Sequence, residues 1–315
     1  MSTSKRLLSL SLVFLWLSLM LIGCGGNDMQ QAEVSADKDS EAQTQQEDTP
    51  QPTEEVVAET SDENPGLPAD ARDVVFASKD GIELEGRFYP ARFSDSPLIV
   101  LMHWAPGDQD DWNAIAAWLQ NREDEISIET GKSTDPWLDS TWFPTMLTTT
   151  SFNVFTFTFR NCKGGCARFE REKWYDDVKA AVDYSVGLDG IDPVRIIMIG
   201  ASIGSDGAVD SCAYLNQKTP GACLGAMSLS PGNYLTIDYA EKVTAMSPIP
   251  VWCLYAEVDA ESASICGNLD SENFTKYAYP ATMVYSNGHG MNLIEQNQEP
   301  NPLNLMVDFL GDLTQ

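Results

Sequence analysis

Two kinds of apolar patterning alternate along residues 73 to 313. Short runs rich in Val, Ile, Phe and Tyr predict eight strands: DVVFAS (73–78), IELEGRFYP (82–90), PLIVLMHW (97–104), FNVFTFTFR (152–160), RIIMIGAS (195–202), CLGAMSLSP (223–231), IPVWCLYAEVD (249–259) and ATMVYSNGHG (281–290). Between and after them, DWNAIAAWLQ (111–120), EKWYDDVKAAVDYSVG (172–187), SDGAVDSCAYLNQ (205–217), DYAEKVTAM (238–246) and NPLNLMVDFLGDL (301–313) carry helical spacing. The first two runs share a KDG turn and pair as a hairpin. From the third onward, strand and helix follow one another, which predicts an α/β fold: a mostly parallel eight-stranded sheet with helices on both faces.

The first 67 residues read differently. Lys5 and Arg6 precede an apolar stretch from Leu7 to Ile22 that ends in LIGC, the form of an export signal. The ending resembles a bacterial lipobox, which implies cleavage before Cys24 and attachment of a lipid, hence a membrane partner, to that cysteine. An uncleaved anchor or a plain secretory signal are the competing readings, and all place the rest of the chain outside the cytoplasm. Gly25 after Cys24 is not the aspartate that retains lipoproteins at the inner membrane, which favours the outer one where the cell has two. Residues 25–67 are dominated by Gln, Glu, Asp, Thr, Ser and Pro and hold too little apolar surface to fold. They are expected to form an acidic tether reaching on the order of 35 Å or more. Residues 68–315 then form one domain with no internal repeat and no second linker.

Charge narrows the partners. Of the net −28, the domain carries −19 and the tether −11, with Lys5 and Arg6 adding +2. Nucleic acid is excluded as a partner by this balance, and anionic headgroups and carboxylate substrates are repelled at long range. Beyond Cys24, six cysteines fall as neighbouring couples, favouring disulfides Cys162 with Cys166, Cys212 with Cys223 and Cys253 with Cys266 in an oxidising compartment. A zinc site competes, but CKGGC has no second ligand pair close by and the chain has two histidines.

The chemistry is suggested by GASIGS at 200–205, directly after the fifth run. G-x-S-x-G lets a strand turn abruptly into a helix with the serine hydroxyl exposed, although the same spacing also arises by chance. Eight strands with a leading hairpin and this motif after the fifth resemble the α/β-hydrolase fold over essentially all of residues 70 to 315. Within it the short elbow and compact domain are similar to the dienelactone-hydrolase-like and carboxylesterase branches. The resemblance implies a Ser202 nucleophile followed in chain order by an acid and a histidine. That order selects His289 in SNGHGMN over His103. Asp259 in LYAEVDAESA is the expected acid, ahead of Glu257, with Asp238 and Asp270 weaker; alone, Asp259 reads equally well as a helix cap.

The segment HWAPG resembles the His-Gly-x segment that supplies an oxyanion-hole amide, with Trp104 where glycine is usual. Pro106 has no N–H, so Ala105, or else Trp104, is expected to donate together with Ile203. His103 is expected to brace this loop. Arg160 in RNCKGGC resembles the Arg-Gly-x-Gly loop of the same superfamily and is expected to shape a turn, with substrate contact as the lesser reading. Residues 122–144 form a long insertion in which Trp137, Trp142 and Phe143 would either line an aromatic cleft with Trp104 or pack the insertion down.

Taken together, these features predict an extracytoplasmic, lipid-anchored serine hydrolase acting on a small ester-type substrate through an acyl-enzyme, a mechanism that uses no metal or organic cofactor. A peptidase or acyltransferase with the same triad, and a non-catalytic binding lipoprotein on the same scaffold, are the alternatives. Substrate identity and oligomeric state are not encoded legibly.

Overall fold

The computed structural model describes residues 67–125, 134–235, 238–283 and 285–314. The signal segment, Cys24, nearly all of the tether and residues 126–133 of the insertion lie outside them. Among the described residues the chain forms β1 (Arg72–Ala77), β2 (Glu83–Tyr89), β3 (Leu98–Met102), α1 (Asn113–Gln120), β4 (Asn153–Phe157), α2 (Arg171–Ser185), β5 (Ile196–Ala201), α3 (Ile203–Lys218), β6 (Cys223–Leu229), α4 (Tyr239–Ala245), β7 (Val251–Ala256), α5 (Ala260–Asn268), β8 (Phe274–Tyr279) and α6 (Pro302–Thr314). The eight strands form one sheet in the order β1-β2-β4-β3-β5-β6-β7-β8. The β1–β2 and β2–β4 pairs are antiparallel and all others parallel.

The central strands are apolar throughout because both faces are covered. Leu98, Val100 and Met102 of β3 join a core with Trp174 and Val178 of α2 and Ala208 and Val209 of α3. Ile99 and Leu101 point the other way, toward Trp112 and the α1 residues Ile115 and Leu119, and toward Leu303, Met306 and Phe309 of α6. Each such side chain, fully buried, favours folding by about 1.5–3 kcal/mol. Asn121 ends α1 in the left-handed conformation at φ 52°, and its side-chain Nδ2 donates to the carbonyls of Leu147 and Thr150 at the far side of the insertion.

The last strand is displaced from its sequence-predicted place. β8 is Phe274–Tyr279, and residues 281–283 form a 3-10 turn instead of the strand expected at 281–290. As the sheet's edge, β8 is half exposed, so FTKYAY lacks the continuous apolar run of its neighbours, and Pro280 follows without an N–H to extend the ladder. The sequence also concealed α5, whose AESASICGN is too small and polar to show a stripe. The three cysteine couples are bonded as expected: 162–166 within the loop after β4, 212–223 between α3 and β6, and 253–266 between β7 and α5.

The strand order locates the site. From β3 the chain crosses to β4 on one side, whereas β5, on the other side of β3, leads away to β6. The loops leaving β3 and β5 therefore diverge, and a crevice opens at their carboxyl ends, where ligands of open α/β sheets bind.

Candidate active site

Ser202 sits in that crevice. β5 passes directly into α3 through this residue, which adopts φ 52°, ψ −116°, a conformation that costs a side-chain-bearing residue about 1–3 kcal/mol. Its surroundings enforce the turn. A Cβ on Gly200 would lie 1.9 Å from the carbonyl oxygen of Gly204, and one on Gly204 would lie 2.2 Å from that of Met102 in β3. Both motif glycines are thus required by backbone contact, which removes the coincidental reading of the spacing. The Ser202 amide donates to the carbonyl of Leu229 at 2.9 Å, tying the turn to β6.

His289 follows β8 between Gly288 and Gly290, at φ 63° and 61°. A side chain on Gly290 would collide with the Trp104 ring, at 2.9 Å from Cε3. The imidazole Nε2 lies 2.8 Å from Ser202 Oγ, and Nδ1 lies 2.7 Å from Asp259 Oδ2. Asp259 occupies the N-cap position of α5, but its carboxylate makes no cap bond and instead accepts from His289 and from Ser262 Oγ at 2.7 Å. Burial pushes its carboxyl up, yet the hydrogen bonds from His289 and Ser262 outweigh burial and hold it below its ordinary value. An ionised Asp259 can only accept, so Nδ1–H donates to it and Nε2 is left to accept the Ser202 proton. The other carboxylates lie apart: Asp238 caps α4, accepting the Glu241 amide at 3.0 Å, while Glu257 and Asp270 are exposed.

Of the expected oxyanion donors, Ile203 follows the serine directly at the start of α3, and Ala105 lies in the loop after β3. Among the described residues the amides of Ala105 and Ile203 have no hydrogen-bond partner. The Ala105 carbonyl accepts from Cys166 N at 2.7 Å, fixing this loop to the disulfide-closed CKGGC turn. His103 is fully buried and braces the same loop. The Phe159 amide donates to its Nε2 at 3.0 Å, so its proton is on Nδ1, 2.6 Å from the Trp104 carbonyl. Burial lowers its pKa to about 4. Arg160 is buried and bonds Asp177 of α2, Asp80 and Ser78, pinning the end of β4 to the β1–β2 turn. That ion-pair network accounts for it without substrate.

The three insertion aromatics separate. Trp137 stands edge-on to Trp104 with ring centroids 5.5 Å apart, and Tyr285 stands edge-on to Trp137 at 6.4 Å. The Trp104 indole donates to Asp111 at 2.6 Å, where burial pushes the Asp111 carboxyl up. Trp142 and Phe143, for which the sequence left cleft lining and packing of the insertion both open, pack down: Trp142 lies on Phe143, Phe143 on Trp118 of α1, and the Trp142 N–H is satisfied by the Pro136 carbonyl. Two residues went unnoticed in the sequence. Tyr234, in the loop after β6, stands edge-on to His289 with centroids 6.3 Å apart. Asp206 holds that loop by its backbone. The only sequence signal for them is position, just past the elbow and just past a strand end. Among the described residues no three His, Cys, Asp or Glu side chains are grouped to hold a metal ion.

No family model matches the chain. Among curated proteins it is similar to the uncharacterized protein YfhR of Salmonella typhimurium, 25% identical over 215 residues, or 61% of this chain and 65% of that protein. The Escherichia coli K12 YfhR is 23% identical over 211 residues, 61% of this chain and 64% of that protein. The chain therefore matches just under two thirds of the length of these relatives. Among solved structures it resembles the Pyrococcus furiosus esterase Pf2001, with a TM-score of 0.54 at 14% identity over 78% of this chain and 92% of that one. The dienelactone hydrolase of Anabaena variabilis aligns with a TM-score of 0.50 at 11% identity over 78% and 96%. The fold is that of the α/β hydrolases.

Proposed function

We propose that this chain is an exported serine hydrolase, lipid-anchored through Cys24, that cleaves ester-type bonds. The observation that carries the reading is the unbroken line Ser202 Oγ, His289, Asp259, with spacings of 2.8 and 2.7 Å, on a serine held at positive φ. The esterase and dienelactone hydrolase that share the fold favour an ester over other acyl compounds. Three disulfides accord with an oxidising compartment, and no described helix is long and apolar enough to cross a membrane.

In this mechanism Ser202 Oγ attacks the carbonyl carbon while its proton moves to His289 Nε2. Asp259 keeps the imidazole in the accepting tautomer and stabilises the imidazolium. The Ala105 and Ile203 amides donate to the developing oxyanion, each contributing about 3–4 kcal/mol to the transition state. His289 then protonates the departing alcohol, and water, deprotonated by the same nitrogen, releases the acid.

The test is labelling of the purified full chain in detergent with a fluorophosphonate probe, beside folded Ser202→Ala and His289→Ala, followed by paired ester and amide substrates. Wild-type labelling lost in both variants, with esters turned over faster, is expected. A folded wild type that neither labels nor turns over would replace catalysis with binding, and faster amide turnover would make it a peptidase.

A further inference from the structure

Asp206 lies four residues after Ser202, one turn along α3, and is 3% exposed. Among the described residues no side-chain cation pairs with its carboxylate. It takes three backbone amides instead: Gly232 N on Oδ1 at 3.0 Å, and Tyr234 N and Leu235 N on Oδ2. Burying a carboxylate without a counter-ion costs several kcal/mol unless hydrogen bonds satisfy it, and here that compensation comes from one loop's amides, so carboxylate and loop hold each other in place. What it grips is the loop that leaves β6 above the crevice. Tyr234 in this loop is fixed at its far end too, its hydroxyl donating to Glu261 Oε2 at 3.1 Å in the helix that Asp259 begins. Between these two anchors the phenol ring stands at 86° to the His289 imidazole, and Phe169 backs it with a centroid distance of 6.3 Å. The imidazole is thus met by Asp259 at Nδ1, by Ser202 at Nε2 and by Tyr234 against its ring.

We propose that Asp206 is a positioning residue: from the nucleophile's own helix it clamps residues 232–235 and so holds Tyr234 against His289, keeping the imidazole in line between Asp259 and Ser202. The kinetic consequence rests on the serine-hydrolase reading; the geometric one does not. A loosening of about 1 Å costs on the order of 100-fold in rate, so Asp206→Ala should slow fluorophosphonate labelling of the full chain by roughly 10- to 100-fold.

The experiment compares wild type, Asp206→Ala, Asp206→Asn, Tyr234→Ala, the Asp206→Ala/Tyr234→Ala double variant and Asp210→Asn, each checked for folding. Labelling rate is read beside the NMR resonances of the His289 imidazole, distinguished from those of the one other histidine by His289→Ala. Asp206→Ala and Tyr234→Ala should both slow labelling and move the His289 resonances in the same direction. The double variant should be no slower than the slower single. Asp206→Asn, which keeps one acceptor oxygen, should fall between, and Asp210→Asn, a buried carboxylate one turn further along α3, should label like wild type. Unmoved imidazole resonances in folded Asp206→Ala, or effects that multiply in the double variant, would overturn the proposal. Should Asp206→Ala not fold, Asp206→Asn replaces it, alone and in the double, under the same criteria. If wild type does not label at all, the hydrolase reading falls, and the imidazole resonances alone decide whether Asp206 positions His289.

Discussion

His103 offers a quantitative check on how the loop after β3 is held. Its neutral form is built in, because Nε2 accepts the Phe159 amide and Nδ1–H faces the Trp104 carbonyl. A second proton would set Nε2–H against that amide, inside a fully buried site. Burial accordingly lowers the folded pKa from 6.5 to about 4, with the Trp104 carbonyl and Asp108 opposing. Between those values the unfolded chain binds more protons than the folded one, so stability rises with pH. The contribution of His103 is complete above pH 6.5 and is lost as pH falls toward 4. At 1.36 kcal/mol per pKa unit the loss is about 3 kcal/mol at pH 4. His103→Gln removes the titration and leaves at least one backbone partner unsatisfied, costing about 1–3 kcal/mol at pH 8. Urea unfolding of both proteins should therefore show a wild-type advantage at pH 8 that shrinks by about 3 kcal/mol by pH 4. A gap that stays constant across this range would refute the reasoning. So would a folded His103→Gln that loses probe labelling as completely as His289→Ala, since bracing predicts reduced but surviving reactivity.

Asp210 provides the opposite sign. Burial raises its carboxyl to about 6 despite Lys242 at 3.6 Å, so stability falls as pH rises from 3.8 to 6, and Asp210→Asn should gain roughly 2 kcal/mol on wild type between pH 4 and 7, measured by urea midpoints; no relative change would dismiss the assignment. Gly204→Ala would place a methyl 2.2 Å from the Met102 carbonyl oxygen and 2.7 Å from that of His103; we expect a loss of about 1–3 kcal/mol and at least a tenfold drop in labelling, and wild-type labelling would mean the elbow tolerates the side chain. Trp137→Ala should change the ester acyl-length profile, whereas Trp142→Ala should lower Tm without changing it, and the reverse pattern would interchange the roles of the two rings.

The sheet was legible because β3, β4, β5 and β6 are covered on both faces, which leaves near-continuous apolar runs in the chain. β8 escaped for the complementary reason: an edge strand with one exposed flank has no such run, so the apolar ATMVY just beyond it drew the assignment. Ser202 and His289 were readable as candidate chemistry, through a spacing that the backbone contacts of Gly200 and Gly204 now explain and through a choice between two histidines. Asp259 was chosen over Glu257 by position alone, and the physical basis lay in α5, which the sequence hid: the chain needs three residues beyond β7 to start that helix, and its N-cap position is what turns the carboxylate toward His289. Aromatic composition could not separate Trp137, buried edge-on to Trp104, from Trp142, half-buried against Phe143, because burial and partner ring are set by the fold. Asp206 and Tyr234 lie 28 residues apart and meet only after β6 has crossed beside β5. In the sequence Asp206 is one polar residue in the first turn of a helix, where a carboxylate is ordinarily explained by the helix dipole. Its inward orientation, dictated by α3 packing against the sheet, is the single fact that converts it from a surface charge into a clamp on the loop beside His289.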